Sequence, residues 1–211
     1  MPLQNRVTPT GEIVAAAARG LFMGNRGRLH MHDRTLGARR WTTQVWIICR
    51  LHFRERQRAV MGPDGYTELF FLDEAVALAA GHRPCGECRR DAYREFREIW
   101  HSVTGGAGRS IQQLDRTLHR SRVDGRSRRQ VRHRRELGGL PDGAFITLET
   151  SSGAVGAWLV RGERLHRYTA DGYAGSIRRP AAGAVEVLTP AATIDVLASG
   201  YRPVLHPTVE G

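Results

Sequence analysis

The residues best suited to chemistry stand in Gly81–Arg90, GHRPCGECRR, where two residues separate Cys85 from Cys88. A Cys-x-x-Cys turn lets two thiolates converge on one metal ion, and zinc accepts such a pair in tetrahedral geometry. Pro84 stiffens the approach, and a helix beginning just after Cys88 favours the negative charge of the thiolates. A redox pair is the competing use, but a thioredoxin-type motif follows a strand, and here an Ala-rich helix and Gly81 come first. The chain holds three cysteines, Cys49, Cys85 and Cys88, which cannot all pair with one another, and no export signal is apparent. Metal binding or a reactive thiol is therefore expected in place of disulfides, and the expected location is cytoplasmic.

Legible elements flank that turn. Asp73 is a natural N-cap, Glu74 suits a first turn, Ala75–Ala80 has high helix propensity, and Gly81 with Pro84 stops it. A second helix is predicted from about Arg90 to His101, with Tyr93, Phe96, Ile99, Trp100 and Val103 on one face. Upstream, dense apolar and β-branched residues predict a strand over Gln44–Phe53 and another over Tyr66–Phe71, with a polar turn over Arg54–Arg58 between them. The Gly/Arg-rich stretch Gly24–Arg40 is expected to be mostly loop.

Downstream the composition shifts. Ile111, Leu114 and Leu118 have helical spacing after Ser110, but SRVDGRSRRQVRHRRE offers little to bury and suggests a solvated connector or a phosphate-contacting arm. Ala144–Glu149, Ala157–Arg161, Leu165–Tyr168 and Val185–Leu188 are predicted strands, and a helix follows Pro190 until Gly200. The expected class is α+β: a zinc-binding α/β module over 1–104, an arginine-rich connector over 105–139 and a compact α+β region over 140–211.

Of 211 residues, 32 are basic and 21 acidic, for a formal charge of +11, and every basic residue is arginine. Such a surface attracts polyanions, and arginine grips phosphate bidentately. The longest apolar run near the start, Ile13–Ala18, is far short of the roughly 18 residues that span a bilayer, so no membrane is expected as partner.

Phe70–Cys88, FFLDEAVALAAGHRPCGEC, resembles without gaps the metal-binding domain of the Ada DNA-repair family, where a Phe-containing strand, an Ala-rich helix and a Gly-aromatic-Arg-Pro-Cys-x-x-Cys segment run in this order. Trp46–Arg50, WIICR, resembles that family's apolar strand ending in Cys-Arg. The resemblance covers about residues 41–100. It implies that Cys49 joins Cys85 and Cys88 as a Zn2+ ligand, and that Cys49 is a candidate acceptor of alkyl groups from DNA phosphotriesters. Two features depart from the family: its further cysteine is replaced here by Phe53, and the chain between Cys49 and Cys85 is longer.

The fourth ligand must then be a histidine or a carboxylate. His30, free to fold back from the loop LHMHD, is the first choice; His52 is the alternative, set back because three positions along one strand would point it away from Cys49. His32 and His82 follow. The expected function is a zinc protein that contacts nucleic acid, DNA first, through arginines such as Arg128, Arg129, Arg132, Arg134 and Arg135. Alkyl transfer to Cys49, and a structural zinc module for a protein partner, are the alternatives. A zinc deaminase would need His-x-Glu, and His52-Phe53-Arg54-Glu55 has the wrong spacing. A nuclease using Glu68, Asp73 or Glu74 is conceivable, but their spacing does not require it.

Overall fold

A computed structural model describes residues 1–55, 59–105, 110–149 and 153–210. The first strands are short: β1 (Gln4–Val7), β2 (Ile13–Ala15), β3 (Phe22–Asn25), β4 (Ile47–Arg50) and β5 (Leu69–Phe71). They are joined by β6 (Arg83–Pro84), which follows helix α1 (Glu74–Ala79), into a six-stranded sheet of order β2-β1-β5-β3-β4-β6. The strand expected over Gln44–Phe53 is regular only over β4. Before it, local bonds bend the chain: Thr43 accepts from Val45 N at its hydroxyl and from the Trp46 indole at its carbonyl. After it, the backbone bends at Leu51, and Arg54 takes φ +53°. Part of the expected turn, residues 56–58, lies outside the described residues.

Helix α1 forms as its caps dictate. The Asp73 carboxylate accepts from Val76 N at 2.9 Å, and Gly81 ends the helix at φ +84°. A Cβ on Gly81 would also lie 2.5 Å from Arg122 Cδ, so glycine is required twice over. Every residue of α1 is buried. Helices α2 (Arg90–Val103) and α3 (Ile111–Arg122) follow, the latter opened by a capping box between Ser110 and Gln113. On α2 the predicted apolar face is buried at Phe96 and Trp100.

The segment expected to be a solvated connector is packed. Leu114 and Leu118 of α3 are fully buried, and so are Asp115 and Arg122. Arg83 grips Asp115 through two hydrogen bonds of 2.8 Å, which pins α3 to β6. A tight turn over Asp124–Arg129 then leads to Gln130, whose amide nitrogen reaches the carbonyls of Pro9, Ala79 and Leu188.

Residues His133–Glu136 form β7 at one edge of a second sheet, with β8 (Phe145–Glu149), β9 (Val155–Arg161), β10 (Arg164–Thr169), β11 (Gly172–Arg178) and β12 (Ala184–Val187). Its order is β11-β10-β9-β8-β12-β7, all antiparallel. Helix α4 (Ala191–Ala198) packs against α2 and α3. The molecule is thus α+β.

Alternation along β9 sends Trp158 and Val160 to one face and Leu159 to the other. Trp158 and Val160 pack with Leu137, Ile146 and Val185. Leu159 belongs to a larger apolar cluster that also holds Phe145, Val196 and Tyr201, and from the first half Ile48, Phe71, Leu78, Phe96 and Trp100. That cluster runs across the boundaries expected near 104 and 139. No helix among the described residues is long and apolar enough to cross a membrane.

Candidate metal centre

Strand pairing builds the cysteine cluster. Strands β4 and β6 run parallel with Ile48 opposite Pro84, and Cys85 N donates to Ile48 O at 2.9 Å. The Cys-x-x-Cys turn therefore begins at the level of Cys49. Arg89 N returns to Cys85 O at 3.2 Å, closing the turn as α2 begins, and Glu87 N donates to the Cys85 sulfur at 3.4 Å. The sulfurs of Cys49, Cys85 and Cys88 lie within 4.8 Å of one another. Sulfurs around a tetrahedral zinc with bonds of roughly 2.3 Å would sit about 3.8 Å apart. Cys85 and Cys88 are buried; Cys49 as a whole residue is partly exposed, with its sulfur turned into the cluster.

Three free thiols this close share their protons unequally. Hydrogen bonds from Cys49 first, and from Cys88 next, pull the Cys85 thiol far below its ordinary range, while its bond to Cys85 pushes Cys49 up. The cluster thus favours the thiolate form of Cys85, and a cation among the three would favour loss of the other protons. The donor set fits zinc: three soft, preorganised sulfurs beside a helix start. These three residues could hold a metal ion.

His30, the expected fourth ligand, has other partners in this structure. His30 is buried away from the sulfurs with both ring nitrogens engaged, Nδ1 with Thr67 Oγ1 at 2.7 Å and Nε2 with Gly62 O at 2.8 Å. Its loop folds over Thr67, which also takes the backbone N–H groups of Leu29 and His30. His82 is buried against Phe71 and Trp46, and His32 is exposed.

His52 lines a hollow of about 540 Å³ together with all three cysteines, Phe53 and Glu87. An unbroken strand would point His52 away from Cys49, but β4 stops at Arg50. Among the described residues, no histidine or carboxylate atom joins the three sulfurs at cluster distance. Phe53 lines the same hollow.

The carboxylates considered for a nuclease are engaged elsewhere. Asp73 caps α1 and accepts from the Tyr173 hydroxyl at 2.6 Å and His206 N at 3.0 Å. Glu74 receives two hydrogen bonds from Arg89, at 2.7 and 2.8 Å, plus the Tyr201 hydroxyl at 2.6 Å and Val204 N at 3.0 Å. Glu68 accepts from Met61 N at 2.7 Å.

Arg128, Arg129, Arg132, Arg134 and Arg135 are all exposed. Arg132 pairs with Glu186 at 2.8 Å, Arg135 lies 3.6 Å from Asp195, and Arg134 donates to Ala184 O. Sequence reasoning missed the burial of Arg26 and Arg122, both interior with their guanidinium carbons 4.1 and 3.9 Å from the centre of the Trp46 ring. An arginine in a Gly/Arg-rich loop reads as solvated, and nothing in the local pattern marks these two as interior. In comparisons with known proteins, no family model, no curated protein and no solved structure matches the chain.

Proposed function

We propose that the protein is an Ada-like zinc-binding protein that contacts nucleic acid, with Cys49, Cys85 and Cys88 holding the zinc. The observation that carries the metal half is the approach of three sulfurs to within 4.8 Å, from a strand and a turn distant in sequence. The nucleic-acid half is supported by the charge of +11 and by the exposed, partly unpaired arginines after α3. Arg6, Arg19 and Arg50 add positive charge around the hollow beside the cysteines.

Duplex DNA should bind with modest sequence preference and steep salt dependence. With about five phosphates neutralised, the log-log slope would be roughly −4 to −5. Deleting the arginine-rich stretch is no clean test, because Arg122 is core and β7 is part of a sheet. Arg109 lies outside the described residues. Substituting Arg128, Arg129, Arg134 and Arg135 by serine removes four exposed charges at the loss of the surface contacts of Arg134 with Ala184 O and Arg135 with Asp195, and should flatten the slope to about −1. An anisotropy titration across salt decides it: weak binding at low salt, or an unchanged slope, removes the nucleic-acid contact and favours a protein partner.

A second reading follows from Cys49, the one of the three cysteines that is partly exposed as a residue, its sulfur facing the other two. Bound zinc would keep this sulfur a thiolate at neutral pH. Cys49 Sγ then attacks the alkyl carbon of a phosphotriester, an S–C bond forms as the C–O bond breaks, and the phosphodiester leaves with the electron pair as an anion. Incubation with methylated DNA should add one methyl group to the intact mass of the parent and none to Cys49→Ser. No mass gain in the parent eliminates alkyl transfer.

A further inference from the structure

On another part of the surface, a hollow of about 810 Å³ is lined by Arg26, Arg40, Arg122, Arg128, Arg129 and Arg132, with Glu12 as its single carboxylate. No residue lines both this hollow and the one beside the cysteines. We propose that it is a binding site for a phosphate-bearing ligand, a nucleotide or a nucleic-acid strand, with the phosphate held over Arg26 and Arg122.

Two interior guanidiniums without a carboxylate carry the inference. Arg26 donates from Nε to His82 Nε2 at 3.3 Å and from Nη1 to Gly11 O at 2.9 Å, while its buried Nη2 has no partner among the described residues. Arg122 donates to Gly81 O and Gln44 O, each at 2.8 Å, and approaches His119 Nδ1 at 3.0 Å; its buried Nε is likewise unpartnered. The nearest acidic influence on Arg122 is Asp115, which Arg83 already grips with two bonds. Two cations against one indole, without an anion, are a costly arrangement in the interior.

The strain shows in the titrating groups. Burial, and then Arg40, brings the Arg26 guanidinium down to about 9. Burial, and then Arg26 and Arg122, keeps His82 neutral well below its ordinary range. Burial, and then Arg26, lowers Arg122 as well, so an anion seated in the hollow would relieve Arg26, Arg122 and His82 together.

Phosphate suits the donors, because guanidinium forks match its oxygens. Arg132 is occupied by Glu186, which leaves Arg40, Arg128 and Arg129 as the exposed rim. The turn that presents Arg128 and Arg129 is closed by reciprocal backbone bonds with Asp124, and Arg128 sits at φ +57°. The hollow is larger than inorganic phosphate needs and lies within the roughly 300–1,000 Å³ of small-molecule sites. Trp41, half-buried at its edge, supplies aromatic surface for a base.

This inference shares Arg128 and Arg129 with the nucleic-acid reading but is tested apart from it. The probes are inorganic phosphate, a nucleoside monophosphate and a single-stranded oligonucleotide, added to the full chain and followed by tryptophan fluorescence and melting temperature. Phosphate and nucleotide should bind saturably and raise the melting temperature above chloride at equal ionic strength. R128S/R129S should weaken binding about tenfold with the fold intact, as expected for the loss of roughly 1.4 kcal/mol.

Arg26→Met should abolish the phosphate response and leave the phosphate-free protein at least as stable as the parent. An arginine needed only for structure would lower stability instead. Tighter binding by the oligonucleotide identifies a strand as the source of the phosphate; equal or tighter binding by the nucleotide identifies a small molecule. No response beyond chloride, or unchanged binding in R128S/R129S, overturns the site. If duplex DNA keeps its steep salt slope while phosphate and nucleotide fail, only this site is lost.

Discussion

Cys85→Ser and Cys88→Ser should each lose a zinc ion that the parent holds at one per chain, and both should melt well below it. Metal affinity is folding free energy where the ligands come together only in the fold, and structural zinc contributes on the order of 10 kcal/mol in small modules. Here the sulfurs sit on β4 and on the turn that β6 delivers, so losing the ion loosens that parallel pair. His52→Ala should weaken zinc retention more than His30→Ala, because His52, unlike His30, lines the cysteine hollow. His30→Ala should keep the metal yet cost about 1–3 kcal/mol, since it strips Thr67 and the Gly62 carbonyl of a buried partner. Metal analysis of protein purified without chelator, paired with thermal melts, reads all four variants. A parent free of metal, with Cys85→Ser melting alongside it, would falsify the zinc assignment.

The second large effect is expected at Glu74. Glu74→Ala leaves Arg89 buried without its counter-charge and takes the acceptor from the Tyr201 hydroxyl and Val204 N. Removing one partner of a buried pair typically costs about 3–5 kcal/mol, and this carboxylate is 1% exposed. Glu74→Gln, which keeps an acceptor but not the charge, should lose less than Glu74→Ala. Denaturant unfolding of the three proteins measures both differences, and a cost below about 1 kcal/mol for Glu74→Ala would show that the carboxylate does not hold these segments together.

What the sequence announces is local. The Asp73 cap, the Gly81 stop and the Cys85–Cys88 turn are each decided by a few neighbouring residues, and they stand where propensity and spacing place them. The antiparallel strands of the second half were legible from alternation, except for β7 and β11. Strand β7 is HRRE, polar throughout, and β11 carries two glycines and only one aliphatic branch. Strands β1 to β3 are three or four residues long and too short for a period to register.

The ranking of His30 over His52 rests on a premise that the backbone does not keep. It takes the apolar run as extended to its end, whereas the chain bends at Leu51. The packing of α3 and the burial of Arg26 and Arg122 depend on partners dozens of residues away, such as Arg83 for Asp115 and Trp46 for both guanidiniums. Periodicity within a window contains no such information.

Glu74 also bears on how far the resembling segment is autonomous. Arg89, one residue beyond Cys88, grips a carboxylate whose remaining partners are Tyr201 and Val204, while the neighbouring Asp73 is held by Tyr173 and His206. Residues 41–100 are therefore not a transplantable cassette in this protein. A graft of that stretch would carry the three thiols without the C-terminal hydroxyls and amides that neutralise the ground beneath them, and its two acidic side chains would face whatever the new host supplied.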